Sequence, residues 1–139
     1  METKIHLANG GFITAVIDSN KRRHHFTLYS KEGEELGWCG CDCNGYFGTS
    51  NMLTSYSEEP HIYFHSFFIK REYRRKGHGR RMLEAIKTFF KIRIKYGKVL
   101  MKLTYGSIGE MSNEQLKAFY EREGFKSSTK DERVMYCEY

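Results

Sequence analysis

Apolar and polar residues alternate with period two through the first half of the chain, and the longer helical period appears only in the second half. Residues 4–7, 12–17, 24–29 and 35–41 are short runs separated by Asn9-Gly10-Gly11, Asp18-Ser19-Asn20 and Lys31-Glu32-Gly33, which predicts strands joined by turns, the last pair by a hairpin. No segment before residue 61 carries an apolar stripe at helical spacing. Residues 63–69, Tyr-Phe-His-Ser-Phe-Phe-Ile, form the clearest strand. Met82, Leu83, Ile86, Phe89, Phe90 and Ile94 then recur three and four apart, placing them on one side of a helix that Gly97 ends. Alternation returns over 98–105, where Val99, Met101, Leu103 and Tyr105 share a side. Ser112 is a fitting N-cap for a second helix over 113–123, closed by Gly124. Residues 125–128 and 133–139 flank a final turn. Residues 44–60, with their Ser/Thr/Asn cluster and the single proline, Pro60, read as a long loop. Loops of that length are often functional or mobile, and Tyr46, Phe47, Met52 and Tyr56 would give this one some grip; an insertion tucked on a sheet edge fits equally.

A chain of 139 residues forms one domain with its own core, and 29% charged residues with mean hydropathy −0.64 point to a soluble protein. No apolar run reaches membrane-spanning length and the first residues lack the hydrophobic stretch of a signal peptide, so the expected location is cytoplasmic, without membrane contact. The net charge of +6 becomes informative once it is located. Residues 61–109 hold thirteen Lys/Arg against two Asp/Glu, whereas both flanking segments are more acidic than basic. A solvated basic helix, a phosphate-bearing ligand and a nucleic-acid surface all fit that field. Cys39, Cys41 and Cys43 would share one face of a strand. Their spacing does not match the usual zinc pairs and a fourth ligand is lacking, so these and Cys137 read as reduced structural thiols, with no metal expected.

The basic segment contains Arg74-Arg75-Lys76-Gly77-His78-Gly79-Arg80, between the strand and the helix. Two glycines one residue apart allow a tight turn and a close backbone approach to a ligand. The helix that follows adds free N–H groups and the positive end of its dipole, so the natural occupant is an anion such as a diphosphate. The segment is not a P-loop, since no Gly-Lys-Ser/Thr follows, and Met82 stands where the dinucleotide fingerprint has its third glycine.

The spacing Arg-x-x-Gly-x-Gly, filled by Arg74, Gly77 and Gly79 after the strand end Ile69, resembles the pyrophosphate-binding signature of the GNAT family of N-acetyltransferases. Downstream, Asn113, Phe119, Tyr120, Gly124 and Phe125 fall on the family's Asn-x-x-Ala-x-x-Φ-Tyr-x-x-x-Gly-Phe helix, with Leu116 in the alanine position. The resemblance spans about residues 61–139. It implies an α+β GNAT fold: a mixed, mostly antiparallel twisted sheet of about seven strands with two main helices, in a single domain over 1–139. Residues 1–60 would be the β-rich acceptor side and 61–139 the coenzyme-binding and catalytic half. The family usually places two helices after its first strand, and no such pattern is present here. Residues 4–13 and the small size are also similar to a compact phage-encoded anti-CRISPR acetyltransferase acting on a type V effector, but that match fails over residues 19–62 and does not carry the target across.

The resemblance implies transfer of an acetyl group from acetyl-coenzyme A to an amine. Phe67, Phe68 and Ile69 would pair through their main chain with the pantetheine arm, and the Phe67 N–H would face the thioester oxygen. Arg74, Arg75, Lys76, Gly77, His78, Gly79 and Arg80 would surround the diphosphate, with Asn113 and Phe119 as further coenzyme contacts. Tyr120 corresponds to the tyrosine that protonates the departing thiolate; a phenol, with a pKa of about 10, keeps its proton at neutral pH. His65 stands where serotonin-acetylating members have a histidine, and an imidazole titrating near 6.5 suits removal of the amine proton, with a water relay as the alternative. Without the two helices the acceptor side would be shallow or built from loops, which suits a protein lysine; a small amine remains open. So do an inactive coenzyme-binding module and a nucleic-acid-binding module, the latter disfavoured. Monomer and homodimer fit equally.

Overall fold

Each turn signal in the first forty residues reverses the chain. The computed structural model describes residues 2–46, 60–94, 98–105, 112–131 and 133–139. Strands β1 (Glu2–His6), β2 (Phe12–Ile17), β3 (Arg23–Tyr29), β4 (Glu35–Asn44) and β5 (His61–Ile69) lie side by side, each antiparallel to the one before. Gly10 and Gly33 occupy left-handed turn positions at φ +88° and +87°, which explains glycine at both. The crossover through helix α1 (His78–Arg93) then brings β6 (Leu100–Thr104) parallel to β5, as such a connection must. Helix α2 (Asn113–Arg122) leads to β7 (Lys126–Ser127) and β8 (Val134–Glu138), completing an eight-stranded sheet of order β1-β2-β3-β4-β5-β6-β8-β7. The sheet is mixed and mostly antiparallel, as expected, with eight strands rather than about seven.

Both helices pack on one face. Phe26 on β3 meets Phe89 and Phe90 of α1 at ring distances of 5.4 and 5.7 Å, and Phe67 on β5 meets Tyr120 of α2 at 6.4 Å. Burying Ile13, Phe26, Ile62, Met82, Phe90 and Met101 completely forms the core between these layers, at roughly 1.5–3 kcal/mol for each large apolar side chain. The two helices are tied directly as well. Lys87, 4% exposed, donates from Nζ to the Glu123 carbonyl at the end of α2 and lies 5.3 Å from the Phe125 ring. Among the described residues no helix covers the opposite face of the sheet, and β2 passes to β3 through a short turn.

Boundaries differ from the expected ones where periodicity is silent. Helix α1 begins at His78, four residues before its first apolar position, because Gly77 takes the N-cap place at φ 80°, ψ 8°. It ends at Arg93, and Gly97, the expected stop, lies outside the described residues. Strand β4 runs on to Asn44 and β5 begins at His61, so both exceed the alternating runs that announced them. In α2, Ser112 is the N-cap within a full capping box: its hydroxyl accepts from Gln115 N, and the Gln115 side chain accepts from Ser112 N. Gly124, at φ +94°, follows that helix. Most of the expected loop over 44–60 lies outside the described residues. Of its four gripping side chains only Tyr46 is described, and its hydroxyl accepts a 3.2 Å hydrogen bond from Leu100 N. Among the described residues no helix is long and apolar enough to cross a membrane.

Candidate acetyl-transfer site

The centre of the site is an irregularity in β5. Gly40 on β4 pairs with Ser66, yet Cys41 pairs with Phe64, so His65 is an extra residue in the ladder. Such a bulge bends its strand and increases the local twist. It also resets which side chains face the helices: Ile62 and Phe64 do so before it, and Phe67 does so after it. On its other side β5 pairs with β6 only through Ile62, Tyr63 and Phe64. From His65 to Ile69 that edge has no strand partner among the described residues. An edge of this kind can pair with an extended amide-bearing chain as an added strand would.

Beyond the strand, Arg74 folds inward. Its Nε–H donates to the Ile69 carbonyl at 2.8 Å, and its guanidinium lies 5.1 Å over the Phe68 ring, itself 4.6 Å from Trp38. The motif arginine therefore closes the 3-10 turn Arg71–Tyr73 onto the strand end. Arg75 at φ +64° and Gly77 at φ +80° are both left-handed, and such turn conformations line up successive N–H groups as an anion-binding concavity. A Cβ on Gly79 would stand 3.3 and 3.4 Å from Phe119 ring atoms, so its absence is what lets the start of α1 close on α2. These features fit a diphosphate with an extended arm. Arg75, Lys76 and Arg80 are exposed, and Arg80 Nε lies 3.9 Å from the Glu123 carboxylate. His78 is partly buried; burial first, then Arg81 and Lys76, lower its pKa from the usual 6.5, favouring the neutral ring. Beside this turn a cavity of about 200 Å³ is lined by residues including Leu7, Asn9, Lys31, Leu36, His78 and Arg81.

Tyr120 lies on the helix side of β5. It is 7% exposed, with ring contacts to Phe119 at 5.2 Å, Phe125 at 5.7 Å and Phe67 at 6.4 Å. Burial and the neighbouring Cys39 thiol push its hydroxyl well above the ordinary phenol range, so it is held as a proton donor. His65 is exposed on the opposite face, its ring lying over Gly40. The two expected catalytic side chains thus flank β5 from its two sides. Phe67, Phe119 and Tyr120 come together, whereas Asn113 is exposed in the first turn of α2.

The cysteines line the helix side. Cys39 and Cys41 have sulfurs 3.8 Å apart, and Cys43 Sγ lies 3.4 Å from His24 Nδ1. None of the four cysteines forms a disulfide, and all are buried. Burial raises the Cys41 and Cys43 pKa values and lowers that of His24 to about 4. Among the described residues no three potential ligands cluster around a metal-sized space. Sequence reasoning missed Gly40, Cys39 and Arg81 as parts of the site. Arg81 stood next to the motif and carried a usable signal; Gly40 and Cys39 did not, since only pairing with β5 brings them here.

A domain model described as "Acetyltransferase (GNAT) domain" matches residues 22–127. No curated protein matches the sequence. Among solved structures, the PaiA N-acetyltransferase from Thermoplasma acidophilum in complex with coenzyme A is 19% identical, with TM-score 0.59, over 87% of this chain and 64% of that one. AtaTR bound with AcCoA is 14% identical, with TM-score 0.59, over 86% of this chain and 69% of that one. The KacTA–DNA complex is 13% identical, with TM-score 0.59, over 85% of this chain and 69% of that one. At these identities the likeness is one of fold, and the chain spans about two thirds of the length of each.

Proposed function

Because the chain belongs to the GNAT acetyltransferase family, with acetyl-coenzyme A as its donor, we propose that the acceptor is a protein lysine and that His65 and Tyr120 serve the transfer from opposite sides of β5. The observation that carries this reading is the β5 edge from His65 to Ile69, which has no strand partner among the described residues, with Tyr120 on its helix side and His65 on its open side. Main-chain groups along that edge hold the pantetheine arm and bring an N–H to the thioester oxygen, where negative charge develops as the amine attacks. The new N–C bond forms as the C–S bond breaks. His65 takes a proton from the amine, and Tyr120 gives its proton to the departing sulfur. The acceptor enters over the sheet face that carries Trp38, Phe68 and His65, which no described helix covers. A face of that shape admits a side chain projecting from a larger surface.

The test is mass spectrometry of proteins and lysine peptides incubated with the protein and acetyl-coenzyme A, beside a Tyr120→Phe control. Acetyl groups on lysine side chains, lost or reduced roughly ten- to a thousandfold in rate in the control, support the reading. Acetylation confined to small amines would overturn the acceptor assignment, and full activity of Tyr120→Phe would remove the tyrosine from the proton path.

A further inference from the structure

We propose that Arg81, one helical turn beyond Gly77, is the positioning residue that locks the 75–78 turn in its anion-accepting form and selects the His78 tautomer that faces the diphosphate. The inference rests on the reading of this turn as the coenzyme site. Glycine supplies freedom and not order: Gly77 can adopt φ +80°, but nothing in Gly77 itself holds it there, and Arg75 at φ +64° occupies a region that non-glycine residues disfavour. A turn with two left-handed residues in three needs an external tie.

Arg81 supplies it. Its Nη2 donates to the Lys76 carbonyl oxygen at 2.8 Å and lies 3.1 Å from His78 Nδ1. A guanidinium has only donors, so His78 Nδ1 must accept, and the ring proton then sits on Nε2. The lowered pKa of His78 agrees with a neutral ring in this arrangement. The Lys76 carbonyl is occupied by a cation and is thereby kept from presenting its oxygen to a phosphate. The guanidinium lies against Gly77, since a Cβ there would fall 3.1 Å from Nη1. Arg81 N also donates to the Gly77 carbonyl at 3.1 Å, so main chain and side chain grip the turn from one residue. The result is a fixed positive charge behind the turn and an Nε2–H donor added to its backbone N–H groups. Lysine would keep the charge but not the planar fork that meets two acceptors at once.

The test compares two acyl donors, acetyl-coenzyme A and S-acetyl-pantetheine, which lacks the diphosphate and nucleotide. In Arg81→Lys and Arg81→Ala, KM for acetyl-coenzyme A and the calorimetric Kd of coenzyme A should rise tenfold or more, while kcat at saturation and turnover of S-acetyl-pantetheine stay unchanged. Nitrogen-15 NMR of the ligand-free protein should show the His78 Nε2–H tautomer in the unmodified chain and a mixture in Arg81→Ala. Equal losses with both donors would mark Arg81 as merely structural and overturn the proposal. So would unaltered coenzyme A affinity in a folded variant, or an unaltered tautomer. If Arg81→Ala does not fold, Arg81→Lys and Arg81→Gln carry the same comparison. Should the unmodified protein bind no coenzyme A, the coenzyme reading itself falls and the proposal with it, which separates that failure from the others.

Discussion

Gly40 lies directly beneath the imidazole of His65, and replacing it with alanine moves the proposed base without touching it chemically. The added Cβ would stand 2.3 Å from His65 Cε1 and 2.8 Å from Nε2. Carbon atoms are comfortable at about 3.5–4.0 Å, so the ring must retreat by roughly 1 Å or more. It is the far end of an exposed side chain, and it can swing aside without disturbing the core. The expected stability loss is therefore about 1 kcal/mol or less, the cost of an off-rotamer side chain, or a few degrees in Tm. Catalysis should suffer more, because a misplacement of about 1 Å can cost on the order of a hundredfold. Steady-state kinetics with a lysine peptide, coenzyme A calorimetry and thermal melts together form the assay. Gly40→Ala should lose on the order of a hundredfold in kcat, keep its coenzyme affinity within about twofold and remain folded. The same methyl would stand 2.9 Å from Ser66 Oγ, which accepts a 3.0 Å hydrogen bond from Gly40 N, so Ser66→Ala is the needed control. A folded Gly40→Ala enzyme with unchanged kcat would refute the assignment of His65, and a Ser66→Ala enzyme with the same loss would transfer the effect to Ser66.

Two further predictions concern protons. If His65 accepts the amine proton, kcat/KM rises with pH along a limb that His65→Ala abolishes; a pH profile of the folded variant that keeps the limb assigns the base elsewhere, a strand-held water being the next candidate. His24 makes stability pH-dependent, because its folded-state pKa of about 4 lies below the ordinary 6.5. Between those values the unfolded chain binds a proton that the folded chain refuses, so His24's contribution is intact above about 6.5 and falls toward pH 4, by at most about 1.4 kcal/mol per pH unit. Urea midpoints at pH 7 and pH 4.5 should show that loss in the unmodified protein and a smaller one in His24→Phe; parallel losses would disprove it.

Much of this architecture was legible because it rests on neighbours in the chain. Alternation in β2 and β3, the Met82-to-Phe90 stripe of α1, the Ser112 cap and the left-handed Gly124 are all set by side chains within a few residues of one another. The glycine turn and the Tyr120 helix were readable for the same reason, as short motifs whose spacing is their content. What folding alone decided lies across strands. Whether His65 faces the helices or the open side depends on a bulge set by pairing with Gly40, twenty-five residues earlier, and a ladder slipped by one residue would have reversed it. The same pairing brings Cys39 opposite Phe67 and thus beside Tyr120. Arg74 shows the same dependence: its place in the motif is local, whereas the Ile69 carbonyl that accepts from its Nε–H and the Phe68 ring against its guanidinium are partners that only the folded chain supplies. A sequence specifies which groups are available, whereas the partners they find depend on register and on side-chain reach through space, and neither has a local pattern to read.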